Sequence, residues 1–154
     1  MNVTIRKAML GDIETLRAIN LSSFEANRMF DPFIDMNWVN TSKAEKLFSD
    51  SVTKDDHYTV MAEVDGNPVG FLILGPKQYA YRTVRMIELD ILAVLPEYRS
   101  KGIGSALVAN AKQWAKECGY QTMYASSYIK NVRAVEFYKR EGFAPIDISL
   151  ELTL

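Results

Sequence analysis

The run Leu92-Ala93-Val94-Leu95-Pro96-Glu97-Tyr98-Arg99-Ser100-Lys101-Gly102-Ile103-Gly104-Ser105-Ala106-Leu107 sets the reading of this chain. An apolar, strand-like stretch stops at Pro96, a turn carries Arg99, Lys101, Gly102 and Gly104, and apolar residues then resume with a helical period. Glycines at 102 and 104 let backbone N–H groups come close to an oxyanion, and the helix start adds unpaired donors and partial positive charge. Arg99 and Lys101 supply counter-charge, so the segment reads as a pyrophosphate cradle. Other phosphate motifs fail on the same letters. A P-loop needs a lysine after its last glycine, and a dinucleotide fingerprint needs Gly or Ala where Leu107 stands. For the glycines alone, a softened loop feeding a core helix stays open.

Working outward, Ile103, Leu107, Ala111, Trp114 and Cys118 predict a helix that Gly119 ends as a C-cap. Residues 84–94 read as the strand before the turn and residues 121–127 as the strand after the helix. Residues 58–64 and 69–74 read as two strands joined through Asp65-Gly66, a pair suited to a tight hairpin. Upstream, residues 3–7 alternate as an edge strand does. Asp12 is a candidate N-cap for a helix to about Ala26, and Ser42-Lys43-Ala44-Glu45 has capping-box spacing for a second helix to about Val52. Downstream, residues 131–141 read as a short helix ended by Gly142, and residues 146–154 as a closing strand. The expected fold is α+β: one domain over residues 1–154, with a mostly antiparallel sheet, flanking helices and a central strand-helix-strand crossover.

Bulk properties exclude several functions. The 154 residues suit one domain, and 48% hydrophobic content is enough for one core. Eighteen Lys and Arg against nineteen Asp and Glu leave no excess positive charge for a polyanion, so nucleic acid is not expected as a partner. The basic residues are nevertheless concentrated: between Pro96 and Gly142 there are eight of them against four acids, a balance of +4 that suits a compact anion. Cys118 is the only cysteine, which excludes an internal disulfide, and it reads as a packed small hydrophobe. No stretch has signal-peptide or membrane-spanning character, so a soluble cytoplasmic protein is expected, with no membrane partner. No Cys or His cluster has metal-ligand spacing, and no metal is expected. The single histidine, His57, sits beside Asp55 and Asp56 at a strand entry and reads as a strand-end or surface residue.

A second block, Asn131-Val132-Arg133-Ala134-Val135-Glu136-Phe137-Tyr138 followed by Glu141-Gly142-Phe143, completes a pattern. With Arg99-x-x-Gly102-x-Gly104, it resembles the GNAT superfamily of acyl-CoA-dependent N-acyltransferases. The resemblance implies acetyl-CoA as co-substrate. Backbone groups near Leu92 and Val94 would pair with the pantetheine arm, and the amides from Ser100 to Ser105 would hold the pyrophosphate. Asn131 would touch the cofactor or cap the following helix, and the two reading roles are compatible. The strands ending near Val94 and Ser127 would splay to admit the thioester, often beside a bulge.

The chemistry demands a base, because an alkyl ammonium with a pKa of about 10.4 must lose a proton before attack. Glu88 and Asp90 share one face of the strand leading to the site. The resemblance favours Glu88 as base, directly or through water, with Asp90 in reserve, and it implies the Val94 N–H for the oxyanion and Tyr138 as general acid to the departing thiolate. Phe137 would face the core, and an aromatic pair that merely packs is the other reading of these two residues. The expected function is acetyl transfer from acetyl-CoA to a primary amine on a small molecule or peptide. The alternative is a non-catalytic acyl-CoA-binding sensor or subunit. Segments 28–40 and 75–82, with Phe30, Asp31, Phe33, Asp35, Trp38, Tyr79 and Tyr81, read equally as an acceptor site or a dimer surface. A homodimer is a further expectation, with the alternating Leu150, Leu152 and Leu154 as one possible pairing strand.

Overall fold

Two apolar faces on one set of strands dictate the layering. The computed structural model describes residues 2–154. Its sheet has the order β1 (Val3–Lys7), β2 (Tyr58–Val64), β3 (Asn67–Pro76), β4 (Met86–Val94), β5 (Thr122–Ala125). The first three pairings are antiparallel and β4 runs parallel to β5. Helix α3 (Ile103–Glu117) makes the crossover that a parallel pair requires. Strands β2 and β3 are buried along nearly their whole length, as a sheet covered on both faces must be.

On one face, Val60, Leu72, Leu74, Ile87 and Leu89 pack against Ile103, Leu107 and Ala111 of α3. On the other, Met61, Phe71, Ile73 and Ala93 meet Leu16 and Ile19 of α1 (Ile13–Asn27) and Ala44 and Phe48 of α2 (Ser42–Thr53). Phe48 and Phe71 meet edge to face at 6.2 Å between centroids. The β2–β3 turn has φ of 50° at Asp65 and 82° at Gly66, the positive pair that a tight hairpin demands. Helix α4 (Val132–Arg140) follows β5.

Four expectations need correcting. Asp12 stands at the start of α1 without capping it through its side chain: its carboxylate instead takes two bonds of 2.8 Å from the Arg6 guanidinium and one of 2.8 Å from the Met9 N–H. The α2 cap is Thr41, whose Oγ1 accepts from the Ala44 N–H at 3.3 Å, one residue ahead of the capping box read at Ser42. Residues 146–154 form no strand, because alternation alone does not provide a backbone partner and β5 is left as an open edge. The two strands flanking α3 are also shorter than read, starting at Met86 and ending at Ala125.

Candidate active site

The site begins as an irregularity in β4. Ile73 pairs with Ile91 and Leu74 with Leu89, so Asp90 is an extra residue opposite the β3 ladder. A bulge of this kind bends and twists its strand. The pairing of β4 with β5 ends at the same level, with Leu89 opposite Ala125. Beyond it the strands part, leaving the β5-side edge of β4 bare from Asp90 to Val94. Alternation then orients the bare groups. The Leu95 N–H donates to Val69 O at 2.9 Å toward β3, so the Leu92 and Val94 amides point the other way, into the gap. The gap opens into a cleft of about 1050 Å³ lined by Leu89 to Val94, the loop before α3, Ser126 to Tyr128 and the inner face of α4.

At one end the cleft is cationic. The turn adopts φ of 60° at Ser100 and 81° at Gly102, and the first helical bond of α3 runs from Ala106 N to Gly102 O at 3.0 Å. The amides of Ile103, Gly104 and Ser105 therefore precede the ladder and have no intrahelical acceptor. Gly102 is there for its backbone, since nothing lies within 4 Å of the Cβ it lacks. Gly104 serves a different purpose: a Cβ would stand 3.2 Å from the Phe137 ring, so its absence lets α4 close onto α3. Arg99 donates from Nε to Val94 O at 2.8 Å and Arg133 from Nη2 to Ser100 Oγ at 2.9 Å. Burial first, and then Arg133, lowers the Arg99 pKa from its usual value. Arg140 also lines this end.

The remaining cradle residues fall in two groups. Lys101 is outside the lining and lies over the Tyr98 ring at 5.3 Å. Ser105 lines the cleft but commits its hydroxyl to Glu141 Oε1 at 2.6 Å, leaving its amide for a ligand. Asn131 lines the cleft and caps α4, its Oδ1 accepting from the Ala134 N–H at 3.2 Å.

Tyr138 lines the middle of the cleft, wedged between Phe137 and Phe143 at 5.4 Å from each. Burial among these rings pushes its phenol up to about 12, so it keeps its proton at neutral pH. The two acids of β4 separate. Glu88 pairs with Lys77 at 3.4 Å and is not part of the lining. Asp90 lines the cleft, and its carboxyl is raised above the usual range by burial, against the opposing pull of His57 and Lys77. A smaller recess holds Asp90 and His57 with Lys43 and Lys46, so the histidine sits behind the bulge and outside the cleft.

The far end is formed by Asn20, Ser23, Phe24 and Asn27 of α1 with Trp38 and Tyr128. Phe24 and Trp38 lie 5.7 Å apart, and Tyr128 ties the 28–40 segment down by donating to Asp31 Oδ2 at 2.8 Å and stacking on Phe30. Asn20 is buried there with its Nδ2 unpartnered. Tyr79 and Tyr81 stack on each other away from the cleft, and Phe33 is exposed. Sequence reasoning missed Asn20, Phe24, Arg133 and Arg140. For the two arginines a signal exists, because Arg133, Phe137 and Arg140 stand at i, i+4 and i+7 of one helix.

A cleft between splayed parallel strands, cationic at a helix start and carrying the buried phenol of Tyr138 and one acid, defines an α+β protein with a site suited to an extended anionic ligand. Residues 14–143 match the model of the acetyltransferase (GNAT) family, and the chain belongs to that family of acetyl-CoA-dependent acyltransferases. An uncharacterised N-acetyltransferase of Methanocaldococcus jannaschii is 30% identical over 91% of this chain, which spans 60% of that relative's length. An N-alpha-acetyltransferase of Sulfurisphaera tokodaii is 25% identical, with 94% of this chain and 81% of the relative covered. The solved aminoglycoside N-acetyltransferase AAC(6')-Iy in complex with a CoA bisubstrate analogue shares the fold at a TM-score of 0.78 and 17% identity, covering 100% of this chain and 99% of that one. Among the described residues no helix is long and apolar enough to cross a membrane.

Proposed function

We propose that this protein transfers the acetyl group of acetyl-CoA to a primary amine held at the Asn20–Trp38 end of the cleft. The carrying observation is the bare edge of β4 between a cationic helix start and the acid-bearing bulge. The residues fit the co-substrate: Arg99, Arg133 and Arg140 with the amides at 103–105 suit its phosphates, and the Leu92 and Val94 amides suit its pantetheine arm. Acetyl-CoA supplies the acetyl group as an activated thioester.

The chain's own groups then divide the proton and charge handling. The Val94 N–H stabilises the developing oxyanion. Tyr138 protonates the leaving sulfur. The amine's proton goes to a β4 carboxylate, for which Glu88 is the site read from sequence and Asp90 the one that lines the cleft. Phe24 and Trp38 with Asp90 favour a cationic amine. Similarity to an N-alpha-acetyltransferase and to an aminoglycoside N-acetyltransferase supports an amine acceptor.

Thiol release from acetyl-CoA across polyamines, amino acids, short peptides and aminoglycosides tests this reading. One acceptor class is expected to drive release, and Tyr138→Phe to cut kcat by about 10²- to 10⁴-fold with CoA binding unchanged. Unchanged turnover in Tyr138→Phe removes the phenol from the mechanism. Tight CoA binding with no release for any amine favours the acyl-CoA-binding module instead.

A further inference from the structure

The end of the cleft away from the cationic helix start is poor in charge. Asp90 is the one carboxylate among the lining residues, and Arg99, Arg133 and Arg140 belong to the other end. Asp31 of the 28–40 segment is outside the lining and already accepts from the Tyr128 hydroxyl at 2.8 Å. The other polar groups here are neutral: Asn20, Ser23 and Asn27 fall on one face of α1 at i, i+3 and i+7, with Ser127 beyond the end of β5. Asn20 adds an unspent donor. It is 2% exposed, and its Nδ2 has no acceptor among the described residues. A buried amide N–H left unpaired carries a desolvation cost that an acceptor oxygen on a ligand recovers.

We propose that the acceptor is a singly charged amine beside a neutral carbonyl, as in an amino-acid amide or a peptide N-terminus, with Asn20 donating to the carbonyl oxygen. This class rests on reading the cleft as the acetyl-transfer site. One ammonium matches one carboxylate. A polyamine or an aminoglycoside brings further ammonium groups, each of which loses water here without gaining a counter-ion. A free amino acid fails with the opposite sign, because its carboxylate meets Asp90 and no cation. A plain alkylamine satisfies Asp90 and leaves Asn20 unpaired. Carbonyls further along a peptide find donors in Ser23 and Asn27. In the transfer, the nitrogen beside the carbonyl bonds the acetyl carbon as the C–S bond breaks. Of the two protons that nitrogen sheds, one goes to the β4 carboxylate and the other replaces the one Tyr138 gives to sulfur.

Thiol release and calorimetry with L-alaninamide, an alanine-headed tetrapeptide, L-alanine, n-propylamine and spermidine test this. Reckoned per unprotonated amine, kcat/KM is expected to be about tenfold or more higher for alaninamide and the tetrapeptide than for the other probes. In Asn20→Leu the ratio of alaninamide to propylamine use is expected to fall about tenfold. Asn27→Asp, at a half-buried position, is expected to raise spermidine use by supplying a second carboxylate. Circular dichroism checks that both variants fold. A tetrapeptide preferred to alaninamide makes the source a peptide terminus, and equal use makes it a small amide. Spermidine or L-alanine used as well as alaninamide overturns the proposal and leaves the transferase reading standing, as does a ratio unmoved in folded Asn20→Leu. Alaninamide bound by the CoA-loaded protein without thiol release removes the transferase reading and keeps the amine class. Neither binding nor release with alaninamide and the tetrapeptide overturns the class itself.

Discussion

Asp90 shows what a single inserted residue does. As the extra residue of the β4 bulge it leaves the ladder and lines the cleft, where it stays open to solvent while the protein crowding it on one side raises its carboxyl above the ordinary value. A raised folded-state pKa means the neutral form is favoured by folding. That stability is complete below the unfolded pKa of about 3.9 and is lost as pH rises through the folded value. Asp90→Asn is therefore expected to raise the melting temperature at neutral pH and to leave it unchanged at strongly acid pH. If Asp90 takes the amine's proton, the same substitution lowers kcat and abolishes an acid limb lying above the ordinary carboxylate range. Parallel pH profiles for Asp90→Asn and Glu88→Gln separate the two acids. A limb that vanishes only in Glu88→Gln assigns the proton to the carboxylate paired with Lys77.

At the scale of elements, the closeness of α3 and α4 rests on Gly104. A methyl there meets the Phe137 ring at 3.2 Å, so Gly104→Ala is expected to cost about 1–3 kcal/mol by overpacking, read as a lower urea midpoint. Gly102→Ala costs about 1 kcal/mol for a different reason, its positive φ, and weakens CoA binding as the amides turn away. Equal effects of the two substitutions on CoA affinity would show that Gly104 has no separate packing role. The two glycines were visible in the sequence, but only the local role was legible, since Phe137 lies 33 residues further on and its arrival is tertiary. The same distinction explains the closing segment. Alternation in residues 146–154 is local information, whereas a strand needs backbone pairing, and this segment does not pair with the open β5 edge. The cap of α2 moved from Ser42 to Thr41 because both hydroxyl residues satisfy the same local rule.

Across the whole molecule, the sequence carried the sign of the site and not its membership. The +4 balance between Pro96 and Gly142 is real, yet several of its charges are spent elsewhere: Lys112 on Glu141, Lys139 on Glu136, Lys101 over Tyr98. Only Arg99, Arg133 and Arg140 converge on the cleft, and Asp90 is the one acid among its lining residues. The fold's strand and helix order was legible because each element has its own period, whereas convergence of α3, α4 and β4 on one volume follows from packing. A chain of net charge −1 thus holds a cationic pocket whose field is local. Such a pocket attracts a polyanion within about 10 Å at 0.1 M salt and less far as salt rises. The KM for acetyl-CoA is therefore expected to climb with ionic strength while kcat stays level. Arg133→Ala, which removes one charge-assisted contact of about 1.5–3 kcal/mol, is expected to raise that KM roughly tenfold or more and flatten its salt dependence. Arg133→Lys should restore the salt slope without restoring the full affinity, because an ammonium keeps the charge and loses the planar fork. A KM indifferent to salt, or an Arg133→Ala variant that loses kcat with KM unchanged, would place the phosphates away from this end of the cleft.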